Sequence, residues 1–100
     1  YKRQISVTGN LSVILSQIET LGKLRYVGGS CSLVGSYNLS SIGDLEYVGN
    51  SLDLYETKVE SLGNLKYVGL NLDLTNTPVS DLKTEREIRK SIEIKGVIIQ

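Results

Sequence analysis

The feature that most constrains this chain is a sequence that repeats itself every 20 or 21 residues. The string LGKLRYVG at 21–28 returns as IGDLEYVG at 42–49 and as LGNLKYVG at 62–69. A second string, SLDLYETKVESL at 51–62, returns as NLDLTNTPVSDL at 71–82. Because one short unit cannot bury its apolar residues alone, such a period is typical of chains whose units stack on one another. The repeat therefore predicts a solenoid.

Apolar residues fall into columns when the repeats are aligned. The first column is Leu11, Cys31, Leu52, Leu72 and Ile92, and the second is Val13, Leu33, Leu54, Leu74 and Ile94. Within one repeat, Leu52 and Leu54 alternate with Asp53, which is the pattern of a strand with one buried face. We expect these strands to form one short parallel sheet of about five strands. Glycines such as Gly22 and Gly28 predict turns and extended segments in the return path.

The pattern LxLxxTxVxSLGxLxYVG resembles the short leucine-rich repeats of bacterial and bacteriophage proteins. The similarity covers nearly the whole chain and is closest at 42–57 and 62–77. It implies a right-handed coil in which one position of each repeat, where many members carry an asparagine, ties neighbouring coils together. Here that position holds Ser16, Ser36, Thr57 and Thr77. The resemblance also implies an interaction scaffold without catalytic residues.

The two ends of the chain depart from the repeat. Residues 1–10 are predicted to be a partial coil or an N-terminal cap, either as the tail of a preceding coil or as a hairpin of 5–7 against 11–13. Residues 11–82 hold the repeats, and 83–100 form a capping coil. Thr84 and Glu87 fit a capping box, which predicts a short helix at 85–90 that keeps the register of the last repeat. The expected fold is thus a single mainly β solenoid with few helices and one short C-terminal capping helix.

Composition excludes several classes of function. The chain has no His and a single Cys, so a Ser-His-Asp triad, a His/Cys zinc site and an intrachain disulfide cannot be built. Its 11 basic and 11 acidic residues cancel, which argues against nucleic acid as a partner. No apolar run is long enough to cross a membrane. We expect no cofactor, and a soluble protein that is cytoplasmic or virion-associated.

The outward strand positions differ from repeat to repeat and are the candidate partner-binding residues. They are Ile14, Val34, Asp53, Tyr55, Asp73, Thr75 and Glu93. In the predicted register, Asp53, Asp73 and Glu93 form an acidic stripe with a spacing of about 5 Å. Such a stripe indicates either a basic partner or a row that serves only solubility. Tyr55, an aromatic residue beside two carboxylates, has the composition of a binding hot spot.

Other notable residues have structural explanations. Tyr26, Tyr47 and Tyr67 are predicted to stack on one another along the outer wall, beside charges that alternate in sign from repeat to repeat. Cys31 lies in an inward column and is expected to be an inert core residue.

The favoured function is a non-enzymatic protein-protein interaction module that uses its strand face to bind a partner of unknown identity. The alternative is a structural component of a larger assembly, such as a phage virion or surface fibre. A third possibility is a hydrolase that uses a carboxylate pair, but the repeat gives both aspartates the same surroundings and so no means of separating their pKa values.

Overall fold

Each repeat contributes two short strands, one to each of two parallel sheets, in a computed structural model that describes residues 5–12 and 21–100. The first sheet, here the tyrosine sheet, contains β1 (Ile5–Val7), β3 (Leu24–Val27), β5 (Tyr47–Val48), β7 (Tyr67–Val68) and β9 (Glu93–Ile94) in that spatial order. The second, the aspartate sheet, contains β2 (Leu11–Ser12), β4 (Cys31–Ser32), β6 (Leu52–Asp53), β8 (Leu72–Asp73) and β10 (Ile98–Ile99), also in sequence order. The expectation of a mainly parallel β fold with few helices is confirmed.

The register of the aspartate sheet follows the first apolar column. Cys31 pairs with Leu11 on one side and with Leu52 on the other, and Leu52 pairs with Leu72. The side chains of Cys31, Leu52 and Leu72 are fully buried and alternate with half-exposed ones, as a period of two requires. The next inward residues, Leu33, Leu54 and Leu74, are also fully buried. Burial of each such leucine contributes about 1.5–3 kcal/mol to folding. The core therefore lies where the columns predict.

The tyrosine sheet corrects the prediction that the return path consists only of turns and extended segments. Tyr47–Val48 and Tyr67–Val68 pair in parallel, and Val27, Val48 and Val68 form a fully buried column between the sheets. The glycines of this path do allow close stacking: a side-chain carbon on Gly49 would lie 2.0 Å from the Gly28 carbonyl oxygen. A two-residue strand followed by a glycine is too short to show the alternation of a strand, and its sequence is therefore the same as that of a bend.

Side-chain hydrogen bonds tie neighbouring repeats together, but Thr57 and Thr77, at the position that the resemblance implied, do not supply them; Ser16 lies outside the described residues. Thr57 and Thr77 are buried and donate to Leu54 and Leu74 of their own repeats, at 2.9 and 2.7 Å. Four bonds between repeats come from the residue that precedes a strand of the aspartate sheet, at β2, β4, β6 and β8. The side-chain oxygen of this residue accepts a backbone N–H of the next repeat. The acceptor and donor residues are Asn10 and Ser30, Ser30 and Ser51, Ser51 and Asn71, and Asn71 and Val97.

The last repeat is longer than the others, which changes the predicted C-terminal register. Val68 pairs with Ile94 and Leu72 with Ile98, and the corresponding bond from Val97 to Asn71 spans 26 residues. The predicted places of Ile92 in the first column and Ile94 in the second are therefore wrong. Ile98 completes the first column, and Ile94 ends the valine column of the tyrosine sheet.

Two helices occupy this longer repeat. The predicted capping helix is confirmed as α2 (Glu85–Ser91), with the reciprocal Thr84–Glu87 capping box, and it buries Ile88. A helix that was not predicted, α1 (Pro78–Leu82), precedes it. Thr77 caps α1 by accepting the Ser80 N–H, and Pro78 suits the first turn, where its missing donor costs nothing.

The N-terminal strand decides between the two predicted arrangements. β1 pairs in parallel with β3, and Val7 lies opposite Val27. This is the arrangement of a preceding repeat's tail. The alternative hairpin between 5–7 and 11–13 is wrong, because β1 and β2 belong to different sheets.

Candidate functional site

The outer surface of the aspartate sheet carries the side chains that vary between repeats. Its first row is Ser32, Asp53, Asp73 and Ile99, which are in register across β4, β6, β8 and β10. Its second row is Val34, Tyr55 and Thr75. Two backbone hydrogen bonds hold this row in register: Gly35 N–H donates to Tyr55 O at 3.1 Å, and Glu56 N–H donates to Thr75 O at 3.0 Å. We call these two rows the aspartate face. Because all neighbours share one backbone geometry, the face differs along its length only in side-chain chemistry.

Asp53 and Asp73 lie side by side at the centre of this face. Each carboxylate accepts the backbone N–H two residues ahead, from Tyr55 at 3.0 Å and from Thr75 at 2.9 Å, which closes the turn after its strand. Partial burial raises the pKa of Asp53, the Tyr55 N–H opposes that shift, and the negative charge of Asp73 adds to it. The two aspartates thus have a role in the turns as well as an unfavourable mutual charge.

The predicted acidic stripe has two carboxylates and not three. Glu93 lies in β9 of the tyrosine sheet, opposite Tyr67, and pairs with Lys95 at 2.6 Å. The error follows from the longer last repeat, which puts Ile99 and not Glu93 beside Asp73.

The other candidate residues have different outcomes. Val34, Tyr55 and Thr75 are half-buried and lie together on the aspartate face as expected. Ile14 lies outside the described residues. Sequence reasoning missed an apolar end to the face: Ile99, in the first row, and Val97, the residue before β10, are 42% and 55% exposed. The three consecutive apolar residues at 97–99 were a signal for a further strand, but counting by 20 hid their register.

The outer surface of the tyrosine sheet, here called the tyrosine wall, is built from a stack of tyrosines, as predicted. The rings of Tyr26 and Tyr47 stack at 4.7 Å between centroids with an angle of 6°, and those of Tyr47 and Tyr67 at 4.8 Å with 7°. Glu46 forms ion pairs with Arg25 of the preceding repeat and with Lys66 of the following one. These contacts between repeats account for the residue types of this wall without a ligand.

Cys31 is a core residue, as predicted. It is fully buried, and burial raises the pKa of its thiol to about 12, so the nucleophilic thiolate is disfavoured at neutral pH.

Two depressions of the described surface lie away from the aspartate face. One depression of about 310 Å³ is lined by α1, α2 and Gln100, and another of about 220 Å³ lies between α2 and the turn at Ser61–Gly63. Neither is lined by Asp53 or Asp73. Within 5–12 and 21–100, no three His, Cys, Asp or Glu side chains are grouped so that they could hold a metal ion.

Comparisons with family models, with curated proteins and with solved structures found no match to this chain. Among the described residues, no helix has the length and apolar character that crossing a membrane requires.

Proposed function

We propose that this chain is a non-enzymatic binding module, a small solenoid of the leucine-rich-repeat type that recognises another protein through its aspartate face. The observation that carries the proposal is the distribution of sequence variation over equivalent positions. The inward columns and the stacked tyrosine wall repeat the same residue types, whereas the aspartate face changes from Ser32 to Asp53, Asp73 and Ile99. Stacking requires the first kind of position to be uniform and leaves the second free for recognition.

The chemistry of the face favours an extended protein segment with a basic side chain followed by an apolar one. Two carboxylates lie next to each other, and the raised pKa of Asp53 reflects burial and a neighbouring negative charge. A lysine or arginine placed over both aspartates would relieve that repulsion. Ile99 would offer an apolar contact one strand further along, and Tyr55 an aromatic contact on the other side.

The proposal is tested by selecting peptides from a random library on the immobilised protein and measuring their affinity for variants. We expect Tyr55→Ala, and separately the double change Asp53→Ser with Asp73→Ser, to weaken binding about tenfold or more. Tyr37→Ala is the control, because this tyrosine is 53% exposed but lies off the face. Raising the salt concentration should weaken the contribution of the aspartates more than that of Tyr55.

Two results would contradict the proposal. One is a set of selected peptides that bind all three variants equally well. The other is loss of binding on changing Lys23 or Glu46, because that would place the interface on the tyrosine wall.

A further inference from the structure

The last strand of the aspartate sheet leaves backbone groups facing an open edge. Leu72 N–H donates to Val97 O at 2.9 Å and Leu74 N–H to Ile99 O at 2.7 Å, so the backbone of residues 97 and 99 is turned toward β8. Successive residues of a strand alternate in this respect, and the N–H and C=O of Ile98 therefore face away from the sheet. β10 is the final strand in the order of the aspartate sheet.

The neighbouring edge at the same end of the molecule is closed in a different way. In earlier repeats, Val48 O and Asn50 O accept N–H groups of the following repeat, from Gly69 and Leu70. The equivalent oxygens of the last repeat, Ile94 O and Gly96 O, accept instead from the Arg89 guanidinium at 2.9 and 2.8 Å.

The two edges also differ in their side chains. β9 is flanked by an ion pair between Glu93 and Lys95, which is the usual protection of an edge strand. Residues 97–99 are uncharged, and Val97 and Ile99 are 55% and 42% exposed. The protection present at β9 is thus missing at β10.

We infer that β10 pairs with β10 of a second copy in antiparallel orientation about a two-fold axis, which joins two aspartate sheets into one. The N–H and C=O of Ile98 can exchange two hydrogen bonds with those of the partner's Ile98 on the axis. Val97 then lies opposite the partner's Ile99, and the reverse, so the exposed apolar side chains cover one another. This inference does not depend on the function proposed above.

Two further observations favour a second copy with this geometry. Head-to-tail stacking, in which β1 and β2 of another copy would follow β9 and β10, is blocked because Arg89 already occupies the oxygens that β1 and its loop would need. The formal net charge of zero removes long-range repulsion between copies. Because the paired strands are short, we expect a weak dimer that dissociates on the order of 10–100 µM.

The test uses two double variants at the same positions. In the antiparallel pair, Val97→Lys with Ile99→Glu places Lys opposite Glu twice, whereas Val97→Lys with Ile99→Lys places Lys opposite Lys twice. Sedimentation equilibrium should show that the first variant dimerises, with an affinity that falls as salt is added. The second should self-associate about tenfold or more weakly than the natural sequence. Tyr37→Lys with Ser40→Lys, which adds the same net charge at exposed positions elsewhere, should dimerise nearly as the natural sequence does.

Hydrogen exchange supplies the independent measurement. The Ile98 amide should exchange more slowly as the concentration of the natural protein rises, and should stay fast in the Lys–Lys variant. A natural protein that remains monomeric at millimolar concentration would overturn the inference. So would equal dimerisation of the two double variants, or an Ile98 amide whose exchange does not depend on concentration.

Discussion

A single backbone conformation recurs at the turns that follow β4, β6 and β8 of the aspartate sheet. Gly35, Glu56 and Asn76 occupy equivalent positions with φ of 73°, 60° and 59°. Glycine and asparagine tolerate this left-handed region, whereas for other residues it costs about 1 kcal/mol or more. The fold therefore imposes a conformation that Glu56 adopts only because the repeats on either side fix it.

Replacing Glu56 should stabilise the protein. Glu56→Asn keeps a polar residue in the left-handed region at lower strain, and we expect about 0.5–1 kcal/mol more stability in urea unfolding. Glu60→Asn is the matched control, because Glu60 is exposed and lies outside the left-handed region. Equal effects of the two changes would mean that the gain comes from removing a negative charge and not from relief of backbone strain.

Asp53 should make the protein less stable as pH rises. The pKa of this carboxyl is raised in the folded state, mainly by burial and further by Asp73, so the folded protein holds its proton more tightly than the unfolded chain does. The loss of stability caused by ionisation of Asp53 is absent at pH values below the usual carboxyl pKa, and it is complete at pH values above the raised pKa. Asp53→Asn, which retains an oxygen for the Tyr55 N–H, should therefore gain stability over the natural protein as the pH increases from about 3 to 7.

The measurement for Asp53 is urea unfolding at several pH values, with Asp44→Asn as control. A difference that shrinks as the pH rises would contradict this account.

At the scale of elements, the tyrosine sheet depends on glycines that let backbones approach. A side-chain carbon at Gly49 would meet Gly28 O at 2.0 Å, and the repeats would have to separate. Gly49→Ala should cost about 1–3 kcal/mol in chemical denaturation. Gly9→Ala is the matched control, because nothing lies within 4 Å of the added carbon, and it should change stability by less than about 0.5 kcal/mol. If the two glycines proved equally tolerant, the close stacking of the repeats would be wrong.

The edge of β9 is held by one side chain of α2. Arg89 is oriented by Glu85 at 2.8 Å and donates to two carbonyl oxygens of the last repeat. Arg89→Ala should lower stability by about 1–2 kcal/mol, because those oxygens lose a charged donor. Arg86→Ala, an exposed arginine of the same helix, should have little effect. Thermal unfolding of both variants decides the matter, and equal melting temperatures would contradict the role of Arg89.

The sequence predicts those elements that repeat a pattern and fails where the pattern is interrupted. The columns through Leu52 and Val48 could be read because every repeat presents the same apolar residue to its neighbours. α1 and the shift in register at Ile92 could not be predicted from the sequence. The residues of α1 lengthen the last repeat, but the apolar residues after them are of the same types as those in the other repeats. The same shift removed Glu93 from the candidate site and brought Ile99 into it. The pairing of Asp53 with Asp73 lies inside the regular repeats and was predicted correctly.

For the whole molecule, this organisation concentrates exposed apolar surface at one end. The molecule measures 36 × 27 × 22 Å, and its described residues include six large hydrophobic side chains that are notably exposed. Four of them, Leu70, Leu82, Val97 and Ile99, belong to the last repeat or to the residues just before it. A stack of repeats has two terminal faces, and stability requires that each be covered. At the C-terminal face α2 and Arg89 provide part of this cover.

Removing residues 83–100 should therefore do more than shorten the protein. The deletion takes away α2, β9 and β10, and with them the buried side chains of Ile88, Ile92 and Ile94. Leu72 and Val68, which are fully buried in the intact protein, would become edge residues. Leu70 O and Val68 O, which accept from the Gly96 and Lys95 N–H groups, would lose their donors. Because uncovered parallel edges pair with other molecules, we expect the truncated chain to aggregate or to lose its cooperative unfolding transition. Light scattering and circular dichroism measure the two outcomes. Comparison with Arg89→Ala separates loss of the edge hydrogen bonds from loss of the core, and a truncated chain that stays monomeric and equally stable would contradict the capping role.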